Sequence, residues 1–308
     1  MTIATRVLGR TGAKVTILGY GAMELHGPRW GPATDQEAGR LLNAVLDGGI
    51  NLIDTSIDYG RSEELIGRYL AHRREEYFLA SKCGCPLGHR LIRLGRRLVR
   101  RRRSHDWRPA NIRAGTEQSL RRLRTDRLDL LQVHMSPSRA QLAADETVQT
   151  LLSLRDAGKV RFIGMSGILP NLPDHIAMGV FDVFQIPYSA LEREHEEVID
   201  AAAAAGAGTL IRGGVARGAP ARDKDWHHGQ SSGVDDLLGD MSPLEFVLRF
   251  TLSHPGLSST IVGTSQMSHL RSNLEIAAKG PLPGDLYEQA KHRLGAGSMA
   301  PGRVDPAS

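Results

Sequence analysis

Asn51-Leu52-Ile53-Asp54-Thr55-Ser56-Ile57-Asp58-Tyr59-Gly60-Arg61-Ser62-Glu63 is the stretch whose reading decides the fold. An apolar run stops at an acid, Asp54. A short polar loop follows, with Tyr59 beside Gly60. Ser62 and Glu63 then open a helical spacing through Leu65, Ile66, Tyr69 and Leu70. The order is strand, loop, helix N-terminus, and it sets Asp54 at the carboxyl end of the strand. In parallel α/β proteins that end carries the active site. Two further apolar runs end in the same way. Residues 77–81 run into Lys82, and residues 128–133 run into His134. Asp54, Lys82 and His134 are therefore expected on one rim, with Tyr59 on the loop above it.

The same alternation extends in both directions. Residues 5–18 read as a hairpin turning at Arg10-Thr11-Gly12-Ala13, followed by a strand ending in Gly19-Tyr20-Gly21. Residues 35–46 have helical apolar spacing, with Thr34 as a cap and Gly48-Gly49 as the stop. Helices are expected at 62–71, 109–124, 146–157, 171–178, 193–205, 242–253, 267–278 and 285–294. The later strands are expected at 161–165, 182–186, 209–211 and 259–262. That makes eight strands, each followed by a helical pattern, in roughly the 250 residues of a (β/α)8 TIM barrel, here with an N-terminal β-hairpin. The competing open doubly wound sheet asks for a glycine fingerprint after an early strand, but Gly19-x-Gly21 is followed by Glu24. Residues 1–295 are expected to form the barrel, with an Arg-rich insertion at about 86–107 and a disordered tail at 296–308.

Apolar content of 41% and charged content of 24% suit a globular protein. Residues 1–10 hold no apolar stretch of the signal-peptide kind, no run is long enough to span a membrane, and the expected compartment is the cytoplasm. The net charge of +5 is concentrated in one place. Residues 90–103 hold eight arginines and no acid, so the remainder of the chain is acidic. The high pI therefore describes one segment, not a nucleic-acid-binding surface. Leu91, Leu94 and Leu98 could make that segment a short basic helix, although Gly95 weakens the reading. A solvated insertion is the plain account, and an acidic partner is the sharper one. No aromatics interleave the arginines as single-strand stacking would require. Cys83 and Cys85 are too close for an ordinary bridge. As metal ligands they are half a site with no nearby Cys/His pair to complete it, so no metal is expected. His227-His228 reads as part of a solvated loop.

Several of these segments together resemble the aldo-keto reductase superfamily: residues 54–63, Ser81-Lys82, residues 119–134, and Ile163-Gly164-Met165-Ser166. The resemblance covers about residues 5–280. It implies a catalytic tetrad of Asp54, Tyr59, Lys82 and His134, and reduction of an aldehyde or ketone, or the reverse, by hydride transfer from nicotinamide. The chemistry suits these residues. A phenol with a pKa of about 10 needs a neighbouring cation to become a useful acid. Lys82 is that cation, Asp54 keeps it charged, and His134 places the carbonyl oxygen beside Tyr59.

The resemblance also assigns cofactor positions. Ser166 and Gln185 match residues that hold the nicotinamide carboxamide, although Gly167 stands where the family often has Asn. Arg212 stands where an aromatic commonly stacks on nicotinamide, and Gly213, Gly214 and Val215 follow it as backbone suited to pyrophosphate. Gly263, Thr264, Ser265, His269 and Asn273 match the segment that holds the adenosine 2′-phosphate and adenine, with Gly263 and His269 replacing the usual Lys and Arg. NADP(H) is the expected cofactor, with NAD(H) open. Met23, Trp30 and Tyr188 are candidate pocket residues. A nucleotide-binding regulatory or scaffold protein with little turnover is the alternative from a different class.

Overall fold

The structure, a computed structural model, describes residues 2–25, 32, 34–87, 89–94, 97–102, 105–216 and 233–295, with only the backbone of 89–94 and 97–102. Trp30, His227-His228, the tail from 296 and most of the loop after residue 216 lie outside the described residues.

Strands β1 (Thr5–Val7) and β2 (Lys14–Thr16) pair antiparallel as the expected hairpin. Eight parallel strands close into a barrel. In chain order they are β3 (Leu18–Gly21), β4 (Leu52–Asp54), β5 (Phe78–Cys83), β8 (Leu128–His134), β9 (Val160–Ser166), β10 (Val183–Pro187), β11 (Gly208–Arg212) and β12 (Ser259–Val262), the last pairing back to β3. Helices α1 (Asp35–Asp47), α2 (Ser62–Leu70), α3 (Pro109–Leu123), α4 (Arg139–Ala144), α5 (Thr147–Asp156), α6 (Leu172–Ala177), α7 (Glu196–Ala204), α8 (Pro243–Ser253), α9 (Met267–Lys279) and α10 (Gly284–Leu294) surround it.

The local chemistry explains the boundaries. Thr34 caps α1 by accepting from the Glu37 amide, and the Glu37 carboxylate accepts from the Thr34 amide in return. This reciprocal cap satisfies two of the donors that a helix N-terminus leaves open. Pro109 and Pro243 open α3 and α8, where a missing N–H costs nothing. Two apolar layers result. Leu8 and Val15 of the hairpin meet Leu52, Phe78, Leu130, Val183 and Leu210 inside the barrel and plug its N-terminal end. The hairpin turn lies hard against β11: a Cβ on Gly9, whose φ is +48°, would sit 2.1 Å from the Gly208 nitrogen. The strands' outer faces and the helices form the second, larger layer. Each fully buried Leu, Ile or Val there contributes roughly 1.5–3 kcal/mol.

The Arg-rich segment is not a helix. Its backbone forms an antiparallel pair, β6 (His89–Leu94) and β7 (Arg97–Arg102), in register His89 to Arg102 and Leu94 to Arg97. Short apolar-basic runs fit either period, and two strands flanking a Gly-Arg step satisfy the backbone within the insertion. Helix α4 was also not expected. Tyr188 is corrected as well. It is fully buried in the helical layer, stacked on Phe250 and 3.2 Å from the Tyr287 hydroxyl, and does not line a pocket. Met23 is exposed.

Candidate active site at the C-terminal rim

Strand ends build the site, and neighbouring strands set its depth. Asp54 ends β4, Lys82 is the penultimate residue of β5, and His134 ends β8. The loop after β4 turns back on itself. The Tyr59 amide donates to the Ser56 carbonyl at 3.1 Å, and Gly60 takes a φ of +52°, which favours glycine. The start of α2 is tied down. Ser62 Oγ lies 2.8 Å from Thr55 Oγ1 and donates to the Ala22 carbonyl at 2.9 Å, while Ser81 Oγ donates to Glu63 at 2.9 Å. Below the rim, Asp129 accepts from the Leu79 amide at 2.8 Å and from Arg74 at 2.7 Å, which fixes β5 against β8.

The four expected residues come together. Lys82 Nζ donates to Asp54 Oδ2 at 2.6 Å and to the Thr55 carbonyl at 2.9 Å, and it stands 4.8 Å from the Tyr59 ring centroid. Burial opposes the ammonium charge, but Asp54 and Tyr59 outweigh it and hold the Lys82 pKa above the ordinary lysine range. The phenol departs from expectation. Burial, with help from Asp54 and Asp58, raises the Tyr59 pKa, and Lys82 only limits the rise. Tyr59 is thus a protonated donor at neutral pH, not a phenol poised near ionisation.

Sequence reasoning missed the group that completes this network. Asp54 Oδ1 accepts from Gln132 Nε2 at 2.9 Å and from Gln185 Nε2 at 2.8 Å. Gln132 was legible as a lone amide in an apolar strand, two residues before His134 and hence on the same face. Gln185 in turn accepts from Ser166 Oγ at 2.9 Å. Both ends of the Gln185 amide are therefore engaged by the protein.

His134 is held from two sides. Its carbonyl accepts from Trp107 Nε1 at 3.0 Å, and its Nδ1 lies 3.1 Å from Cys85 Sγ. Burial, then the charge of Lys82, lowers the imidazole pKa to about 3, so the ring is neutral. Burial also keeps Cys85 a thiol far above its usual range. The Cys85 thiol can donate to Nδ1, and in that tautomer Nε2 carries the ring proton and is a donor.

The later strand ends carry the other expected residues. Arg212 ends β11, half-buried, and its charge is among those felt by His134. Gly213 takes a φ of +75°, and a Cβ on Gly214 would lie 2.2 Å from Thr260 Oγ1. Val215 is half-buried beside them. Gly167 has a steric reason for replacing Asn, since a Cβ there would lie 2.4 Å from Ser136 Cβ. After β12 the chain turns through exposed Gly263, buried Thr264 and half-buried Ser265 into α9, where His269 is exposed and Asn273 is buried. Gly263 packs closely on β3. A Cβ would meet the Gly21 carbonyl at 2.8 Å and the Glu24 side chain at 3.1 Å.

A family model described as "Aldo/keto reductase family" matches residues 17–292. The chain is 26% identical over 295 residues to the "Uncharacterized oxidoreductase YqkF" of Bacillus subtilis (strain 168), covering 88% of this chain and 90% of that one. It is 30% identical over 200 residues to the "NADH-specific methylglyoxal reductase" of Escherichia coli (strain K12), covering 61% of this chain and 60% of that protein. The holo form of the aldo-keto reductase AKR11C1 from Bacillus halodurans superposes with a TM-score of 0.79 at 26% identity, covering 98% of this chain and 99% of that one.

Proposed function

The chain belongs to the aldo/keto reductase family, and on that premise we propose that it reduces an aldehyde or ketone to an alcohol, or runs the reverse, with Tyr59 as the proton donor. The observation that carries this reading is the buried Lys82–Asp54 pair at 2.6 Å beneath the Tyr59 ring, with a neutral His134 on the same rim. A reduced nicotinamide, when bound, supplies the hydride that no side chain can.

The residues do the rest. His134, with its proton on Nε2, orients the carbonyl oxygen. Being neutral, the ring does not compete with Tyr59 as the acid. Tyr59 gives its proton as negative charge grows on that oxygen, and the Lys82 ammonium stabilises the phenolate left behind. Asp54 holds that ammonium in place and charged. A positioned proton donor of this kind contributes about 10²–10⁴-fold. The residues present also fit a dinucleotide. Gly213 and Gly214 offer bare backbone beside Arg212, and Thr264 and Ser265 precede the N-terminus of the 13-residue α9, where an anion is favoured.

NADP(H) is the family expectation at the adenosine end, but one observation favours NAD(H). Glu24 is a neighbour of Gly263, its Cγ 3.1 Å from where a Cβ would stand, and His269 replaces the usual arginine. A carboxylate on a neighbour of this position, with neither the usual lysine nor the usual arginine to offset it, disfavours a 2′-phosphate. The E. coli relative named as NADH-specific agrees with this. A physiological small-molecule carbonyl and a cytoplasmic setting complete the proposal.

The test follows NADH and NADPH oxidation with an activated aromatic aldehyde, in wild type and Tyr59→Phe. Turnover lost in Tyr59→Phe while dinucleotide binding persists supports the reductase. Tight dinucleotide binding with no turnover on any of a panel of carbonyls and alcohols moves the reading to a regulatory nucleotide-binding protein. Glu24→Gln with His269→Arg shifts preference toward NADPH. An unmoved preference refutes the charge account of the adenosine end.

A further inference from the structure

We propose that Cys85, His105 and His134 form a binding site for a divalent ion of the zinc type, beside the reaction rim and distinct from the dinucleotide site. One ligand atom from each of the three lies within 4.8 Å of the others, and Cys85 Sγ is already 3.1 Å from His134 Nδ1. Zinc bound to sulfur at about 2.3 Å and to imidazole nitrogen at about 2.0–2.1 Å sets its ligands roughly 3.3–3.6 Å apart. The widest pair therefore closes by up to about 1.2–1.5 Å, through adjustment of the half-buried His105 ring, while the Cys85–His134 pair opens by a few tenths of an ångström. Thiolate and imidazole are the ligands that select zinc and its neighbours over magnesium or calcium.

The site is held by its surroundings, not merely crowded. Cys85 and His105 flank the β6–β7 insertion, and the two ends are clipped together. The Asp106 amide donates to the Gly84 carbonyl at 2.8 Å, and Asn111 Nδ2 donates to the Cys85 carbonyl at 3.1 Å and to that of Asp106 at 2.7 Å. Trp107 locks the third ligand, stacking on His105 with centroids 5.8 Å apart while its Nε1 holds the His134 carbonyl at 3.0 Å. Gly84 admits that tryptophan, since a Cβ there would lie 2.3 Å from its ring. Such outer contacts typically govern metal affinity 10–100-fold. An ion would thus tie both ends of the Arg-rich hairpin to the end of β8.

Charge and protons balance. Binding displaces the Cys85 thiol proton to solvent, and the imidazoles coordinate neutral through lone pairs. The dication meets one thiolate, and Asp58 lies close behind, joined to Cys85 through Ser56 Oγ at 2.6 Å from its carboxylate and 3.6 Å from the sulfur. That negative charge offsets nearby Lys82. Three protein ligands leave a fourth position for water.

The test uses the full chain, stripped with chelator and titrated with Co²⁺ as the probe. Expected are saturation at one equivalent, the visible bands of four-coordinate cobalt, a near-ultraviolet thiolate-to-cobalt band, and displacement by Zn²⁺. Cys85→Ser loses the thiolate band, and His105→Gln weakens cobalt binding at least tenfold while keeping it. Absence of saturable bands overturns the proposal. So does a thiolate band that survives Cys85→Ser, which would place the ion on Cys83 or elsewhere. Because His105→Gln retains the cysteine, it decides the matter if Cys85→Ser does not fold. These spectra do not depend on turnover, so failure of the reductase reading leaves the metal result intact, and the reverse.

Discussion

Replacing Asp54 with Asn keeps shape and removes charge, and the surrounding donors make that swap severe. Asp54 is 2% exposed and accepts from three donors: Lys82 Nζ, Gln132 Nε2 and Gln185 Nε2. An asparagine offers one acceptor oxygen. Its amide nitrogen must face either the ammonium or the two glutamine amides, donor against donor. The Lys82 ammonium loses its charged partner and keeps the Thr55 carbonyl at 2.9 Å and its contact with Tyr59. Removing one partner of a buried ion pair costs about 3–5 kcal/mol. At roughly 1.5 °C of melting temperature per kcal/mol for a chain of this size, Asp54→Asn should melt about 5–8 °C below wild type. Lys82→Met is the informative partner. It leaves Asp54 charged but still holding two amide hydrogen bonds, so its loss should be smaller. The cheaper response in Asp54→Asn is for Lys82 to shed its proton, which removes the cation beneath Tyr59. The rate of reduction should then fall about 10²–10⁴-fold even where the protein is fully folded. The assay is thermal unfolding followed by circular dichroism, with single-turnover reduction on the folded fraction at low temperature. If Lys82→Met melts well below Asp54→Asn, the donor-counting argument is wrong. If Asp54→Asn reduces carbonyls at the wild-type rate, the pair is structural only.

Other expectations follow from the same geometry. Because burial raises the Tyr59 pKa, carbonyl reduction should stay level through neutral pH, while alcohol oxidation, which needs the phenolate, should keep rising above about pH 10. A level oxidation profile in rapid-mixing experiments would refute this. The depressed pKa values of His134, at about 3, and His195, at about 4, make the unfolded state the better proton binder below the ordinary histidine value. Stability should therefore fall as pH drops from about 6.5 toward 4. Urea titrations across that window check it, and His195→Gln should flatten the slope. Asp129→Ala strands buried Arg74 and the Leu79 amide, and should cost about 3–5 kcal/mol while sparing catalysis per folded molecule. Gly167→Asn, which installs the common family residue, should destabilise the chain because its Cβ meets Ser136 at 2.4 Å, and Ser136→Gly should restore it. Melting temperatures of the three variants decide that point.

Local pattern alone was enough for the scaffold. Alternation of period 2 and period 3.6 depends only on neighbours in the chain, so eight strands, most helices and the hairpin could be read directly, as could the placing of Asp54, Lys82 and His134 at strand ends. The segment around Leu91–Arg102 could not be read that way, because a short mixed run satisfies both periods and only its own pairing, His89 opposite Arg102, decides between them. Tyr188 was misplaced for a related reason. Its position near a strand end says nothing of which way the chain turns, and α8 and α10 bury it.

Chemistry that depends on closure of the barrel was out of reach. Gln132 and Gln185 are 53 positions apart, yet both donate to Asp54 because their strands meet its carboxylate across the barrel mouth. Cys85, His105 and His134 converge only because the insertion's two ends are clipped together beside β8. The charge state of Tyr59 was likewise open. A sequence names the cation beside a phenol, but the balance between that cation and the cost of burial is set by how much water the folded chain excludes.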